Sequence, residues 1–270
     1  MKRQFLMFAI LLIFLTACGA PTEAVSGLHG TVNLEGSSSM ADVIAVLQES
    51  FRTQEPGITV NYSGAGSGAG IESVLAGTCD IGLSSRPLSQ TELQKGAAAH
   101  IIALDGIALA VNPACPVTDL SIQQIEAIFT GEITHWRLLG GPDAPVAVYG
   151  REAGSGTRTA FEELINAPDR CLYTNEYGST GDMIGNIASN PNAIGYVSLA
   201  SVRDTVKILK VNGTVCTEAA IQNGDYPLQR AFILVTNQNI PLDKASQAFL
   251  DYALSPEAAP YLSLAGAIAP

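Results

Sequence analysis

The sequence predicts an α/β fold with largely parallel sheets. Short strand-like runs alternate with helical patterns along the body of the chain, a pattern typical of parallel strands joined by crossover helices. Three of the strand-like runs are followed by a turn of small residues and then at once by a helix. The body has about 240 residues, enough for one large domain or two modest ones.

Eight segments are predicted to be strands because they are rich in β-branched and other apolar residues and end in turn residues. They are 31–35, 58–62, 80–84, 101–111, 146–149, 194–198, 206–211 and 231–236. Seven segments have apolar residues at helical spacing. They are 40–52, 70–76, 121–129, 157–166, 180–189, 217–223 and 241–254. We expect the chain to cross between two halves of the body near 101–112 and again near 194–198.

The turn at residues 151–158 is the most informative motif. It reads Arg-Glu-Ala-Gly-Ser-Gly-Thr-Arg, and an amphipathic helix follows directly. Unpaired backbone N–H groups and the positive end of the helix dipole converge at such a turn. Together with the hydroxyls of Ser155 and Thr157 and the guanidinium of Arg151, they suit a small tetrahedral oxyanion.

Two further turns have the same construction. Gly-Ser-Ser-Ser-Met at 36–40 lies between a strand-like run and a helix, and so does Ser-Gly-Ala-Gly-Ser-Gly-Ala-Gly at 63–70. Small residues also serve as helix caps, so one such turn alone does not distinguish a cap from a binding site. Three in one chain favour several helix N-termini that converge on one ligand.

The N-terminus has the layout of a bacterial signal peptide. Two positive charges precede an unbroken apolar run over 5–15, which is too short to span a bilayer. The run ends in Leu-Thr-Ala-Cys at 15–18, which matches the bacterial lipobox. We therefore predict a lipoprotein signal peptide at 1–17, acylation of Cys18 and a flexible tether at 18–29. The alternative is a plain signal peptide with an incidental cysteine.

Composition excludes several classes of function. The net charge of −11 becomes more negative by two when the leader is removed, which argues against nucleic acid and anionic membrane surfaces as partners. The chain has no nucleotide phosphate loop, and its three histidines are scattered in sequence. We therefore expect no cofactor and no metal. Remote carboxylates are screened within a Debye length of ~8 Å, so acidity does not prevent anion binding at a turn.

Four cysteines remain beyond Cys18, and their spacings fit no metal motif. An exported location permits disulfides, and four cysteines allow three pairings. We favour two structural disulfides, Cys115–Cys171 and Cys79–Cys216.

The ordered motifs resemble the PstS-like phosphate-binding proteins of bacterial ABC importers, which are periplasmic binding proteins of type II. The resemblance extends from about residue 31 to the C-terminus. It rests on the three turns and on Asp-Ile-Gly-Leu-Ser-Ser-Arg-Pro-Leu at 80–88, Ile-Phe-Thr-Gly at 128–131 with Trp136, Asn-Ala-Ile-Gly-Tyr at 192–196 and Tyr-Pro-Leu at 226–228. The family implies two lobes, each a mostly parallel sheet flanked by helices, joined by two hinge strands. The expected lobes are 30–111 with 201–270, and 112–200.

The resemblance also implies a function: an extracytoplasmic lipoprotein that captures inorganic phosphate between its lobes and delivers it to ABC permease subunits. It implies a monomer, held at the membrane by lipid on Cys18, that binds no nucleic acid and is not an enzyme. By position, the family's ligand-binding residues correspond to Ser38, Ser39, Ser67, Ser85, Arg151, Ser155, Gly156 and Thr157.

Two positions depart from the family pattern. Ser85 stands where the family has an aspartate that accepts a phosphate proton and repels sulfate, and Ala153 stands where the family has an aspartate beside the arginine. Selectivity for phosphate over sulfate is therefore not secured by a carboxylate, and Glu152 or another acid is needed to hold Arg151. Arg86 is either a second positive charge near the site or part of a structural ion pair.

Other functions remain open at this point. A hydrolase is one, but neither Ser67 nor Ser155 fits the G-x-S-x-G nucleophile elbow, and no histidine has a recognisable triad context. A binder of sulfate, molybdate or tungstate would have the same architecture. A sensory or adhesive lipoprotein that kept the fold without transport is a third reading.

Overall fold

The computed structural model describes residues 27–270. The strands in this range are β1 (Gly30–Gly36), β2 (Ile58–Ser63), β3 (Ile81–Ser84), β4 (Ala97–Val111), β5 (Asp119–Leu120), β6 (Ala147–Arg151), β7 (Asn175–Tyr177), β8 (Ala193–Ser198), β9 (Lys207–Ile208), β10 (Lys210–Val211) and β11 (Gln229–Asn237). The α-helices in the same range are α1 (Ala41–Gln54), α2 (Ser67–Ala76), α3 (Gln90–Gln94), α4 (Ile122–Phe129), α5 (Gly156–Leu164), α6 (Thr180–Ser189), α7 (Glu218–Gln222), α8 (Lys244–Ala253) and α9 (Ala259–Leu264).

Every predicted strand and helix is present, and the elements that prediction missed are short. The strand predicted at 206–211 is divided into β9 and β10, because Leu209 lies between them without a place in either strand. The missed elements are β5, β7, α3 and α9, each of two to six residues. Elements this short contain too few residues to show the hydrophobic periodicity from which strands and helices are predicted. Helix α9 also contains Pro260, which stands in the first turn, where proline is tolerated.

One strand runs through both parts of a nine-stranded sheet, whose order is β2-β1-β3-β11-β4-β8-β6-β7, with β9 beside β4. Nine of the first ten residues of β4 pair with β11, with Ile102 passed over at a β-bulge, and the last five residues of β4, 107–111, pair with β8. Strand β1 is parallel to β2 and β3, and β6 is parallel to β7 and β8. The fold is thus mixed α/β, with parallel strands on each flank and antiparallel strands at the centre.

The buried apolar residues form two large cores, which we use to define two lobes. One core contains residues from β1, α1, β3 and α8, and the other contains 107–111 together with residues from α4, α5, α6 and β8. Val206, Leu209 and Leu228 also belong to the second core. The predicted lobe boundaries stay a prediction, but the cores favour a first lobe of 30–106 and 229–270 and a second lobe of 107–228. On this division the return crossing would lie at the start of β11, and the crossing expected near 194–198 stays a prediction.

The predicted signal peptide, the lipidation site at Cys18 and most of the tether lie outside the described residues. Within 27–270, no helix is long and apolar enough to cross a membrane.

The two predicted disulfides are not formed. Cys79, Cys115, Cys171 and Cys216 are all free. Cys79 packs with a small apolar cluster around α2, whereas Cys216 lies in the core of the second lobe, so the Cys79–Cys216 pairing is wrong. Burial raises the pKa of the Cys79 and Cys216 thiols to about 12 and that of Cys171 to about 11. These thiols are unreactive because little thiolate forms at neutral pH.

We therefore expect a chain lacking residues 1–18 to contain four free thiols. A thiol titration in denaturant should find all four, and a reducing agent should leave the melting temperature unchanged. Fewer thiols, together with a lower melting temperature after reduction, would contradict the structure.

Candidate functional site

The first turn follows β1 and places serines at the end of the sheet. Gly36 has a φ of 144°, and a Cβ there would lie 2.2 Å from the carbonyl oxygen of Leu83. Only glycine allows β1 and β3 to approach this closely. Ser37 then precedes a 3₁₀ helix over Ser38–Met40. Ser37 and Ser39 are buried at this turn.

The second turn places Ser67 beside the serine that follows β3. Ser67 is fully buried, and its Oγ accepts a hydrogen bond from the backbone N–H of Ser85 at 3.1 Å. The two hydroxyl oxygens lie 3.3 Å apart. Strands β2 and β3 flank the parallel strand β1, so their carboxyl ends lie at one edge of the sheet. In open α/β sheets, that edge is where ligands bind.

The third turn connects β6 to α5 in the second lobe. Arg151 is the last residue of β6, and Gly156 and Thr157 are the first two residues of α5. Ser155 caps the helix, since its Oγ accepts a hydrogen bond from the N–H of Arg158 at 3.3 Å. The hydroxyl proton of Ser155 is not used by this cap, so it can be donated to another acceptor.

Aromatic packing holds this turn in place. Phe161, on the buried face of α5, stacks on Tyr196 of β8 with ring centroids 4.1 Å apart. The hydroxyl of Tyr196 accepts the backbone N–H of Arg151 at 3.0 Å. Helix α5 and the end of β6 are therefore fixed to the same buried tyrosine.

The three turns meet where the two lobes touch. Thr157 Oγ1 donates to Ser39 Oγ at 3.3 Å, and the N–H of Gly68 donates to the carbonyl oxygen of Gly154 at 3.0 Å. Among the eight predicted site residues, Ser39 contacts Thr157, and Ser67 contacts Ser85 and lies close to Gly156. Ser155 adjoins Gly156 in sequence. The convergence expected from the sequence is present, whereas the ligand-binding roles stay a prediction.

Gly156 is a point of close approach between α5 and the first lobe. A Cβ added to Gly156 would lie 2.2 Å from Ser67 Oγ and 2.8 Å from Ser85 Oγ. The absence of a side chain at this position therefore lets the N-terminus of α5 reach the serines of the first lobe.

Arg151 is buried among neutral acceptors. The side chain is 2% exposed. Its Nε donates to the carbonyl oxygen of Tyr177 at 3.0 Å, Nη1 to Thr180 Oγ1 at 2.9 Å and Nη2 to the carbonyl oxygen of Gly178 at 2.6 Å. Thr180 Oγ1 lies 3.4 Å from Ser38 Oγ, which connects Arg151 to the first turn. The sequence did not identify Thr180.

None of the ion pairs within residues 27–270 includes Arg151. An acid such as Glu152 was expected to pair with Arg151. Two carbonyl oxygens and one hydroxyl accept its hydrogen bonds instead. Burial lowers the pKa of Arg151, because a charged guanidinium is costly to remove from water. Three of its five N–H donors are used in the bonds above, which leaves two for a further acceptor.

A second buried arginine, Arg230, was missed by the sequence analysis. Its Nη2 donates to Ser39 Oγ and its Nη1 to the carbonyl oxygen of Ser85, both at 3.2 Å. Asp105 lies opposite Arg230 in the β4–β11 pairing and accepts from Nε at 3.0 Å and from Nη2 at 2.9 Å. Burial lowers the pKa of Arg230 and raises that of Asp105, while their mutual attraction opposes both shifts. An acidic residue inside an apolar strand was the one signal for this pair in the sequence.

Arg86 belongs to a structural ion pair. Its Nη1 and Nη2 donate to the two carboxylate oxygens of Glu92 at 2.9 and 2.7 Å. The hydrogen bonds from Arg86 hold the pKa of Glu92 at about 2. Arg86 is therefore not needed to explain the charge of the site.

Two of the histidines, His100 and His135, contact residues that lie outside the three turns. His100 Nε2 lies 2.9 Å from Thr236 Oγ1, and His135 Nδ1 lies 3.5 Å from Asp143, both away from the three turns. No cluster of three or more histidine, cysteine, aspartate or glutamate side chains within 27–270 could hold a metal ion.

Known proteins resemble the chain along most of its length. The profile of the PBP superfamily domain matches residues 21–257. The phosphate-binding protein PstS of Bacillus subtilis is 30% identical over 238 residues, which cover 83% of this chain and 79% of that protein. The PstS of Borreliella burgdorferi is 26% identical, with 83% and 84% covered.

Solved structures also match the fold. A putative phosphate ABC transporter substrate-binding protein from Clostridium perfringens, determined with bound phosphate, has 36% identity and a TM-score of 0.86, over 89% of this chain and 100% of that one. An ABC-type phosphate transport receptor from Vibrio cholerae has 33% identity and a TM-score of 0.71, over 88% and 100% of the two chains.

Proposed function

This chain belongs to the PBP superfamily and, within it, to the PstS-like phosphate-binding proteins, and we propose that it captures inorganic phosphate for an ABC importer. The chain is a binding protein rather than an enzyme, as its sequence predicted. The proposed ligand occupies the place where the three turns meet. The proposed donors are the eight residues given above, together with Thr180.

The buried charge of Arg151 is the observation that carries this proposal. A buried guanidinium without a carboxylate partner is costly unless an anion compensates it. Arg151 donates to the hydroxyl of Thr180, which lies 3.4 Å from Ser38 Oγ of the first lobe, and it shares the third turn with the N-terminus of α5. Hydroxyls and helix N-termini saturate the oxygens of a tetrahedral anion. Each charge-assisted hydrogen bond contributes about 1.5–3 kcal/mol, from which closure and immobilisation subtract.

Calorimetric titration tests the ligand directly. Phosphate, sulfate and molybdate are titrated into protein that has been unfolded, dialysed and refolded to remove retained anion. We expect saturable binding of phosphate with one site per chain. If sulfate or molybdate binds and phosphate does not, the ligand is another oxyanion. If none of the three anions gives a heat of binding, the proposal is refuted.

Delivery to a permease is the finer part of the proposal. It is supported by the named relatives, which are a transport receptor and a transporter substrate-binding protein. Uptake of radiolabelled phosphate by cells that lack this chain should recover when the gene is restored. Hydrolysis of a chromogenic phosphate ester by the purified protein would instead favour the hydrolase.

We also propose that lipid on Cys18 anchors the protein outside the cytoplasm. A Cys18→Ala variant should move from the membrane fraction to the soluble extracytoplasmic fraction, because one acyl-bearing residue supplies the anchor. Labelling with a palmitate analogue should mark the wild type only. Equal membrane association of both proteins would contradict the anchor.

Ser155 should act both as a helix cap and as a ligand donor. We expect Ser155→Ala to lower the free energy of unfolding by about 1 kcal/mol through loss of the cap. It should also weaken phosphate binding by about 1–3 kcal/mol, since a phosphate oxygen loses its donor. Chemical denaturation and calorimetry measure the two effects separately.

Thr217 provides the control, because it caps α7 in the same way and no site residue contacts it. Thr217→Ala should lower stability with no change in phosphate affinity. If Ser155→Ala behaves in the same way, Ser155 is a cap and not a ligand donor.

A further inference from the structure

Two side chains of the second lobe hold the backbone of Arg151 from both ends. Its N–H donates to the hydroxyl of Tyr196 at 3.0 Å, and its carbonyl oxygen accepts from Nη1 of Arg158 at 3.0 Å. Arg158 ends the motif at 151–158, yet it is not among the proposed phosphate donors. These two bonds fix the point from which the guanidinium of Arg151 extends.

Both contacts lead to one buried carboxylate, that of Glu162 on α5. Nε of Arg158 donates to Glu162 Oε1 at 2.9 Å. On the other side, the hydroxyl of Tyr196 donates to that of Tyr173 at 3.3 Å, and Tyr173 donates to the same Glu162 Oε1 at 2.8 Å. Glu162 is 4% exposed, and its second oxygen accepts the backbone N–H of Asp169 at 3.0 Å. One oxygen of Glu162 therefore anchors both routes to Arg151.

Each bond in this network has one possible donor. A backbone N–H only donates, and a carboxylate bound to a guanidinium only accepts. Tyr173 therefore gives its proton to Glu162, and Tyr196 gives its proton to Tyr173. The oxygen of Tyr196 is left to accept from the N–H of Arg151. Loss of the negative charge on Glu162 would weaken the bonds that it accepts, because hydrogen bonds to ionised groups are the stronger ones.

Arg158 also joins the two strands that surround the guanidinium of Arg151. Its Nη1 donates to Glu176 Oε1 at 2.8 Å, and Glu176 lies on β7, which pairs with β6. The carbonyls of Tyr177 and Gly178, at the end of β7, accept from the side chain of Arg151. Arg158 therefore connects the backbone of Arg151 to the strand that orients its side chain.

We propose that Glu162, acting through Arg158 and Tyr173, is a positioning residue that holds Arg151 in place for the anion. The inference rests on the proposed function and deepens it. Glu162 is then the acid that was expected to hold Arg151, but it acts on the backbone and not on the guanidinium. A carboxylate in direct contact would occupy guanidinium donors, whereas this arrangement leaves two of them for the ligand.

A double-mutant cycle tests whether Glu162 acts through Arg151. Glu162→Gln, which keeps the shape and removes the charge, is made in the wild type and in Arg151→Ala. Phosphorus NMR titration, which reaches weak binding, measures the dissociation constants. We expect Glu162→Gln to weaken phosphate binding about tenfold or more in the wild type. In Arg151→Ala, where no guanidinium remains to be positioned, it should change the dissociation constant by less than about twofold.

Tyr173→Phe asks the same question if Glu162→Gln fails to fold, because it removes one hydroxyl and keeps the ring. It should weaken phosphate binding about three- to tenfold in the wild type. In Arg151→Ala it should have no effect. The Arg151→Ala background itself leaves no carboxylate unpaired, since none of the ion pairs within residues 27–270 includes Arg151.

Two matched substitutions serve as controls. Glu92→Gln makes the same change of charge at a carboxylate that binds an arginine outside this network. Tyr149→Phe removes a buried hydroxyl on β6 that accepts from Asn190 at 2.7 Å and does not belong to the network. Both control proteins should bind phosphate with wild-type affinity.

The cycle separates positioning of Arg151 from a general effect on the fold. Equal losses of affinity in the wild type and in Arg151→Ala would show that Glu162 supports the third turn as a whole and not Arg151. Wild-type affinity in both Glu162→Gln and Tyr173→Phe would show that the network positions nothing. Either result would overturn this inference and leave phosphate capture intact, whereas failure of the wild type to bind phosphate would refute the proposed function.

Discussion

Replacement of Arg151 by alanine should weaken phosphate binding by about 2–5 kcal/mol, which is roughly 30-fold to several thousand-fold in the dissociation constant. The guanidinium is 2% exposed and has no carboxylate partner among the ion pairs of residues 27–270. A bound anion therefore meets an almost fully desolvated positive charge. Without the guanidinium of Arg151, the anion would be held in a dry pocket by hydroxyls and N–H groups alone. Calorimetric titration of both proteins at one salt concentration measures the difference.

The control for this loss is Arg86→Ala, which removes an arginine bound to Glu92 near the cleft but outside the hydroxyl cluster. It should leave the dissociation constant within about twofold of the wild type, since a remote charge is screened. Arg151→Lys keeps the charge but loses the planar fork, so its affinity should lie between those of the wild type and the alanine variant. An unchanged dissociation constant in Arg151→Ala would remove this residue from the site.

Local sequence signals were sufficient to find the three turns. Each lies directly between a strand and a helix, and small residues with hydroxyls identify that junction without knowledge of distant contacts. The prediction that the turns converge succeeded for a topological reason. Carboxyl ends of parallel strands lie at one edge of a sheet, and β1, β2 and β3 are parallel neighbours in this fold.

Features that depend on long-range pairing could not be read from the sequence. Arg230 and Asp105 are 125 positions apart, and only the register between β4 and β11 places them opposite each other. The same limitation applies to the cysteines, whose spacing gives no information on which core each one enters. It applies also to 206–228, where strand-like and helical patterns do not say against which lobe the segment packs. Thr180 is the first residue of an ordinary helix capped by Ser179, so nothing local marked it as a partner of Arg151.

Gly156→Ala should reduce phosphate affinity by about 100-fold or more while the ligand-free fold keeps its stability. The added Cβ would lie 2.2 Å from Ser67 Oγ, a distance that real contacts do not reach, so the lobes would have to stay further apart. The backbone N–H of residue 156 is retained, and its φ is not in the left-handed region. The substitution therefore tests closure of the lobes and not the loss of a donor or a strained backbone. Calorimetry measures the affinity, and small-angle scattering with saturating phosphate measures the closure.

Gly185 supplies a matched substitution, because it lies within α6 of the same lobe and an added Cβ would meet nothing within 4 Å. Gly185→Ala should raise stability by about 0.5–1 kcal/mol through helix propensity and leave phosphate affinity unchanged. Gly156→Ala at the first position of α5 gains some propensity too, so a loss of affinity without a loss of stability would separate lobe closure from folding. Wild-type affinity in Gly156→Ala would mean that phosphate is bound without this approach of α5 to Ser67 and Ser85, and the contact between the lobes would then lose its role in capture.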